Sequence, residues 1–253
     1  MNNALKDLPT PAECFAKLQS DGFVELPGVV DPGFLAECRA FIDSELEKRG
    51  HRYFSIENVK DTPGAPFGAL TSDSSLRELV AELCRMAKGE DAALDLAQGN
   101  NLRVIAGEKS SSQAMKFHYD SDVLTVLFPV MIPDGTPEEA GDLIALTNHR
   151  PFGRSALVNL VQKAIIQNRF YRERLARRVR DGKAGARVIK LKPGNLLLFW
   201  GYRTLHANFP CRSEAVRATM LSFWGDPHPN DRIMKFAADR RNRMEARIRE
   251  QGA

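Results

Sequence analysis

The sequence predicts a mainly β fold, with an antiparallel double sheet, a helical buttress on its N-terminal side and one helical insert. Three observations support this prediction. Helical patterns fill the first third of the chain, short strand-like runs separated by turn clusters follow Gly89, and a second helical stretch, 156–180, interrupts those runs. A jelly roll is the expected architecture, because it protects the edges of its sheets while leaving an open mouth for a ligand.

Length and composition limit the class of protein. The 253 residues can bury one substantial core, so we expect a single domain spanning 1–253. The content of 43% hydrophobic and 27% charged residues excludes a disordered chain. The N-terminus lacks the apolar core of a signal peptide, and no apolar run is long enough to cross a bilayer as a helix. We therefore expect a soluble, cytoplasmic protein without a membrane partner, either a monomer or a homodimer.

The cysteines give no sign of a metal or disulfide framework. They lie far apart without a CxxC pair, and three of them fall within helical patterns, where a cysteine usually behaves as a small buried hydrophobe. The four are Cys14, Cys38, Cys84 and Cys211. Structural zinc and disulfides are therefore not expected, which fits a reducing compartment.

Start and stop signals define three helices in the first third of the chain. Thr10 and Asp31 can cap the first two, each is followed by a proline at the first helical position, and the capping box Ser75/Glu78 opens the third. Glycines at 22, 50 and 89 can end them. The predicted strands are 23–26, 93–97, 102–106, 115–120, 123–132, 143–147, 187–191, 196–200 and 215–224, and a basic helix is expected from Asn230.

The helical insert is strongly basic. From Lys163 to Lys190 there are ten Lys/Arg residues against only Glu173 and Asp181. A solvated helix face is the simplest interpretation, and attraction of an anionic substrate is the alternative. The sequence contains no aromatic stacking series or nucleic-acid motif, so we expect no nucleic-acid partner.

The segment Lys116-Phe117-His118-Tyr119-Asp120 carries the strongest chemical signal. Side chains alternate along a strand, so His118 and Asp120 should share one face and could hold one metal ion. His206, which follows the buried strand 196–200, is the best third ligand. Two histidines and one carboxylate on one side of a metal, with the other positions open, are typical of non-haem Fe(II) oxygenase sites. We interpret His51, His149 and His228 as loop or turn residues.

An arginine inside a later strand predicts a second part of the site. Arg217 lies in the run 215–224, and a buried guanidinium requires a partner, for which a bidentate carboxylate is best suited. The distal carboxylate of 2-oxoglutarate would serve, while its keto-acid end chelates iron. Arg212 is the rival, but it lies in a loop and is expected at the surface.

Two further residues could contact a ligand. Lys116 shares the parity of His118 and Asp120, so it could point into the barrel and bind a carboxylate of co-substrate or substrate; alternatively the strand bends and Lys116 faces water. Asn208, two residues after His206, could donate a hydrogen bond near the metal or serve in a turn.

Taken together, these motifs resemble the phytanoyl-CoA dioxygenase-like family of Fe(II)- and 2-oxoglutarate-dependent oxygenases. The similarity covers most of the chain. It includes the opening segment Asp21 to Val30, the HxD motif His118-Tyr119-Asp120, the segment Ala140 to Arg150, the run Gly194 to Phe199, Thr204-Leu205-His206, and Arg217. The pieces are individually weak, but their order and spacing together are specific.

The resemblance implies a double-stranded β-helix (cupin-like jelly-roll) fold that uses Fe(II), 2-oxoglutarate and O2 and releases succinate and carbon dioxide. His118, Asp120 and His206 would be the metal ligands, and Arg217 would bind 2-oxoglutarate. Hydroxylation of an unactivated C–H bond is the default outcome, because Asp120 occupies a position that is a small residue in halogenating relatives. The expected substrate is a small anionic metabolite, such as an amino acid, an acyl group or a natural-product intermediate.

The chain departs from the family pattern at Leu146-Thr147-Asn148, where Pro-Gly-Ser is usual, and at Phe117. Two rival functions remain open at this point. One is a cupin-like non-haem iron oxygenase that does not use 2-oxoglutarate, against which Arg217 argues. The other is a catalytically inactive jelly-roll binding protein, against which the complete set of ligand types argues.

Overall fold

The computed structural model describes residues 4–89, 99–107, 114–152 and 168–227. The predicted strand 93–97, the first part of the helical insert (156–167), His228 and the helix expected from Asn230 lie outside the described residues. The helices that the structure describes include none with the length and apolarity needed to span a bilayer.

Helices dominate the first 90 residues, as predicted. They are α1 (Pro11–Ser20), α2 (Pro32–Arg49), α3 (Gly68–Ser72) and α4 (Ser74–Lys88), with a 3-10 turn at Val59–Asp61. Thr10 caps α1 through a capping box with Glu13, and Asp31 caps α2 by accepting hydrogen bonds from two backbone amides of its first turn. Gly50, with a φ of 66°, ends α2 in the left-handed conformation that favours glycine.

The predicted start of the third long helix is wrong by two residues. Its cap is Asp73, whose Oδ1 accepts hydrogen bonds from the backbone amides of Ser75 (3.0 Å) and Leu76 (3.1 Å), so α4 begins at Ser74. Ser75 is therefore the second residue of the helix and Glu78 the fifth, so the two residues do not form a capping box. The short α3 has no capping side chain, which explains why no start signal predicted it.

In the part of the chain that the structure describes, nine strands form two antiparallel sheets. They are β1 (Phe23–Leu26), β2 (Phe54–Glu57), β3 (Gly99–Ile105), β4 (Leu124–Met131), β5 (Leu143–Leu146), β6 (Arg187–Ile189), β7 (Leu196–Phe199), β8 (Leu205–Asn208) and β9 (Arg217–Trp224). The six-stranded sheet has the order β1-β7-β4-β9-β3-β2, and the three-stranded sheet has the order β6-β5-β8. The helix α5 (Pro137–Ala140) precedes β5, and α6 (Arg169–Arg180) forms the described part of the predicted insert.

Strand parity separates two cores around the larger sheet. One face contributes Val126, Leu198 and Met220 to a core shared with α1, α2 and α4. The opposite face contributes Leu127, Leu197 and Phe199 to a core shared with Leu143, Ala145 and Ile189 of the smaller sheet. Two antiparallel sheets packed face to face, with helices behind the larger one, are the predicted jelly roll with its N-terminal buttress.

The helical insert covers the smaller sheet from outside. Leu175 of α6 packs with Phe117, Ile144 and Leu205, which lie on the sheet face opposite to the inter-sheet core. The predicted burial of the helical cysteines is confirmed, because Cys14, Cys38 and Cys84 are buried, as is Cys211.

The prediction of a strand over 115–120 is wrong, although the next strand, β4, lies within the predicted range 123–132. The segment forms only one antiparallel bridge, His118 with His206, and Met115 has a φ of 56°. Conversely, β2 and β8, which contain four residues each, were not predicted.

Candidate metal centre and its cavity

Strand β8 of the smaller sheet and the connection that leads into β4 bring the three predicted metal ligands together. His118 and Asp120 lie in the connection that leads into β4, and His206 lies on β8. The backbone amide of each histidine donates to the carbonyl of the other at 3.0 Å, which places the ring centroids 4.3 Å apart. The bridge therefore positions both imidazoles despite the absence of a regular strand around His118.

The ligand atoms of this triad converge on one point. Asp120 Oδ1 lies 3.7 Å from the Nε2 atoms of both His118 and His206, and the three possible ligand atoms lie within 4.8 Å of one another. Atoms that each bind a common ion at about 2.0–2.2 Å are separated by distances of this order. Among the described residues this is the only such group of three.

Hydrogen bonds orient both imidazoles with Nε2 toward the centre of the triad. The Nδ1–H of His118 donates to the Lys116 carbonyl at 2.8 Å, and that of His206 donates to the Thr204 carbonyl at 3.1 Å. This tautomer leaves a lone pair on each Nε2, as metal binding requires. The buried Nε2 of His206 has no hydrogen-bond partner among the described residues, an arrangement that a metal ion would satisfy.

Asp120 is oriented for the same purpose. Its Oδ2 accepts a hydrogen bond from Thr125 Oγ1 at 2.5 Å, which leaves Oδ1 for the metal. Gly201 allows this arrangement, because a β-carbon there would collide with the Thr125 hydroxyl and lie 2.8 Å from Asp120 Oδ2. The backbone amide of Asp120 also donates to the Gly201 carbonyl. Sequence reasoning missed both Thr125 and Gly201, which carry no motif of their own.

The electrostatic surroundings keep His118 available as a neutral ligand. Partial desolvation by the surrounding protein, followed by the neighbouring His206 imidazole, lowers the pKa of His118, while Asp120 opposes that shift. A neutral imidazole at physiological pH can bind a cation without first releasing a proton. The donor set of two imidazoles and one carboxylate fits a divalent transition metal with open coordination positions.

The triad opens into a cavity of about 190 Å³ between the two sheets. One end of the cavity contains the three metal ligands, and the rest of its wall comes from both sheets. The wall residues include Arg103, Arg217 and Thr219 from the larger sheet and Leu143 and Asn208 from the smaller one. The cavity thus has the inward-facing position that a jelly roll offers to a ligand.

Arg217 is the buried cation of this cavity. It is 3% exposed; its Nε donates to the Gly141 carbonyl at 2.7 Å and its Nη1 to Thr219 Oγ1 at 3.4 Å. Burial, followed by the like charge of Arg103, lowers the pKa of Arg217 to about 10, while Asp142 offsets part of the shift. The guanidinium therefore remains protonated at neutral pH and favours an anion in the cavity.

The three other residues that the sequence singled out near the ligand site differ in where they lie. Lys116 is exposed and is not among the described residues that line the cavity, so the prediction that it points into the barrel fails because its segment is not a regular strand. Arg212 donates to the Asp134 carbonyl at the surface. Asn208 lies inside β8 rather than in a turn, and its amide oxygen accepts a hydrogen bond from Arg103 at 3.3 Å.

A layer of aromatic rings supports the segment around the triad. The Arg150 guanidinium lies between the rings of Tyr119 and Tyr202, 3.9 Å from each centroid, and its Nε donates to the Tyr202 carbonyl. Tyr119 also contacts His149 through a 2.5 Å hydrogen bond between its hydroxyl and Nδ1. His149 therefore closes this loop, as predicted. His51 follows the end of α2 with a φ of 53°.

Solved structures share this architecture. AviO1 from Streptomyces viridochromogenes Tue57 aligns with a TM-score of 0.58 at 15% identity, covering 88% of this chain and 97% of AviO1. A prolyl 4-hydroxylase structure from Phytophthora capsici gives 0.58 at 12% identity, with coverage of 90% and 70%. HygX from Streptomyces hygroscopicus, with nickel and 2-oxoglutarate bound, gives 0.56 at 14% identity, with coverage of 87% and 88%. At these identities the similarity establishes the fold.

The sequence comparisons do not assign the chain to a family. No family model matches it, and no curated protein matches its sequence. Membership in the phytanoyl-CoA dioxygenase-like family therefore stays a prediction.

Proposed function

We propose that this protein is an Fe(II)- and 2-oxoglutarate-dependent dioxygenase that hydroxylates an unactivated C–H bond of a small anionic metabolite. One observation carries the proposal. Two oriented imidazoles and one oriented carboxylate converge at one end of a cavity, and a fully buried arginine lines the same cavity.

His118, Asp120 and His206 would hold the iron. Bound Fe(II) with 2-oxoglutarate supplies the oxidising chemistry, in which O2 is consumed and succinate and carbon dioxide are released. The three side chains would bind the metal from one side, and the adjoining cavity would provide room for the co-substrate. The hydrogen bonds from Nδ1 to Lys116 and Thr204 carbonyls fix the rings, and Thr125 fixes Asp120, so the ligands are positioned before the metal arrives.

Arg217 would bind the distal carboxylate of 2-oxoglutarate. A guanidinium recognises a carboxylate through charge-assisted hydrogen bonds, and these are strongest where water is excluded. Its hydrogen bonds to Gly141 and Thr219 hold the side chain in place. The described part of the chain gives Arg217 no salt bridge within 4.0 Å, which leaves its charge for a ligand.

The compared structures support the same proposal. The HygX structure contains 2-oxoglutarate together with nickel, and the Phytophthora capsici protein is a prolyl 4-hydroxylase. The motif resemblance, including the phytanoyl-CoA dioxygenase-like assignment, points to the same class of reaction. We further propose that the chain forms a single domain.

Consumption of 2-oxoglutarate tests the proposed reaction. Purified protein supplied with Fe(II), ascorbate, 2-oxoglutarate and O2 should release succinate above the level of a protein-free control, slowly alone and faster with a true substrate. Anaerobic samples and samples without iron should release none. A substrate found by this assay should gain one oxygen atom from 18O2. Metal-dependent O2 consumption without succinate would instead favour a cupin-like oxygenase that does not use 2-oxoglutarate.

A further inference from the structure

We propose that Arg103 binds a carboxylate of the primary substrate, so that the substrates of this protein are small organic acids. The proposal rests on the function proposed above and adds to it a substrate class and a specificity-determining residue. Arg103 was not among the residues singled out from the sequence. Within the predicted strand 102–106 its facing direction became evident only from the sheet register.

The register places Arg103 on the cavity side of the larger sheet. Arg103 pairs with Ser55 on β2 and with Thr219 on β9, and paired residues point to the same face. Arg217, two positions before Thr219, shares that face. Both guanidinium groups therefore lie on one wall of the cavity, as do the polar side chains of Ser55 and Asn101.

The two arginines lie at different depths. Arg217 is 3% exposed, whereas Arg103 is partly exposed and is accompanied in the cavity wall by Tyr53 and Ser55. A ligand that enters from solvent would thus meet Arg103 before Arg217. This order suits a co-substrate that binds first and deep, followed by a primary substrate that binds nearer the mouth.

A contact across the cavity directs the Arg103 side chain toward the metal end. Its Nη1 donates to the Asn208 amide oxygen at 3.3 Å, and Asn208 lies on β8 of the opposite sheet, two residues after His206. Side chains two apart on a strand share a face, so Arg103 reaches the wall that carries a metal ligand. An anion held there would place its carbon skeleton beside the triad.

The described wall of the cavity carries more cationic than anionic side chains. Of the described lining residues, Arg103 and Arg217 are cationic and Asp120 alone is anionic, and Asp120 faces the two histidines. When 2-oxoglutarate is bound, its distal carboxylate would pair with Arg217 and its other carboxylate with the metal. The repulsion between Arg103 and Arg217, which contributes to the lowered pKa of Arg217, would be relieved further by a substrate carboxylate at Arg103.

Butyrate is a suitable probe for this site, with butyramide as a neutral control of the same shape. Protein loaded anaerobically with Fe(II) and saturating 2-oxoglutarate would be titrated with each compound by calorimetry, using wild type, Arg103→Met and Arg103→Gln. Formation of the visible Fe(II)–2-oxoglutarate band in the wild type is the prior check. If the wild-type protein gave no such band, the result would count against the proposed function and not against the role of Arg103.

We expect wild type to bind butyrate but not butyramide, and both variants to bind butyrate about tenfold or more weakly because a charged hydrogen-bond partner is lost. The 2-oxoglutarate concentration that gives half of the band should rise by a much smaller factor than the Kd of butyrate in both variants, since Arg217 is intact and only its like-charged neighbour is lost. Equal butyrate affinity in folded variants, or no butyrate binding by wild type, would overturn the proposal. A marked loss of 2-oxoglutarate affinity in both variants would show that Arg103 serves the co-substrate instead.

Discussion

Turnover should fall to the protein-free background when His206 or Asp120 is replaced by alanine. Each substitution removes one of three metal ligands, and a facial site with two remaining ligands binds Fe(II) too weakly to hold the co-substrate. The measurement is succinate release at saturating 2-oxoglutarate, together with the iron content of the protein after gel filtration. Persistent turnover in either variant would show that the ligand assignment is wrong.

Thermal unfolding provides the control for these variants. In wild type, a divalent metal at about a hundred times its Kd should stabilise the fold by about 2.7 kcal/mol, and this increment should vanish in both variants. Without metal, His206→Ala should retain the fold, because the described part of the chain offers the buried His206 Nε2 no hydrogen-bond partner and removal of this atom relieves that cost. Thr125→Val is the matched control for these two variants. It keeps all three ligands and removes only the hydrogen bond that orients Asp120.

Replacing Arg217 by methionine should raise the 2-oxoglutarate concentration for half-saturation by about a hundredfold. Loss of one partner of a buried charge pair costs about 2–5 kcal/mol, and 1.4 kcal/mol corresponds to a factor of ten. Methionine keeps the apolar part of the side chain that packs against Gly141. The two residues are so close that a β-carbon added at Gly141 would lie 2.7 Å from Arg217 Cδ. The titration would be carried out anaerobically with Fe(II), so that binding is measured apart from turnover.

Arg212→Met and Lys116→Met are the matched controls for Arg217. Both side chains lie outside the described cavity lining, and the Arg212 guanidinium donates to the Asp134 carbonyl at the surface. Neither should change the 2-oxoglutarate requirement by more than about twofold. An unchanged requirement in Arg217→Met, with an increase in one of the controls, would move the co-substrate contact to that residue.

The sequence predicts the helices and the longer strands because their signals are local. Thr10 and Asp31 cap helices with their own side chains, and the apolar runs that become β4, β7 and β9 are bounded by turns. The jelly-roll architecture follows from the order of these elements. The cap of α4 was placed two residues late because Asp73 and Ser75 are both good caps, and only the backbone geometry distinguishes them.

The metal ligands of the candidate site could be predicted, because few other roles require this combination of residue types. Residues whose direction depends on strand pairing could not be predicted. Two histidines and an aspartate at these spacings indicate a metal, and the structure brings them together. The parity argument for Lys116 failed because residues around His118 form a single bridge instead of a strand. Arg103 required knowledge of the pairing between β3 and β9, which arises from long-range contacts.

The support of the triad also depends on contacts between distant segments. Thr125 and Gly201 are neighbours beside the Asp120 carboxylate, although they lie far apart in the sequence. Neither residue type signals a metal site by itself. Their importance follows only from the close approach of the Gly201 backbone to the Asp120 carboxylate.

The most direct test of the central claim is anaerobic addition of Fe(II) and 2-oxoglutarate to metal-free protein, followed by visible spectroscopy. The proposed site should give the weak charge-transfer band of the iron–2-oxoglutarate chelate, and the band should be lost in His206→Ala and should require far more 2-oxoglutarate in Arg217→Met. Iron binding without a band would contradict the use of 2-oxoglutarate and favour a cupin-like oxygenase. Failure of iron to bind at all would leave a jelly-roll binding protein without the proposed chemistry.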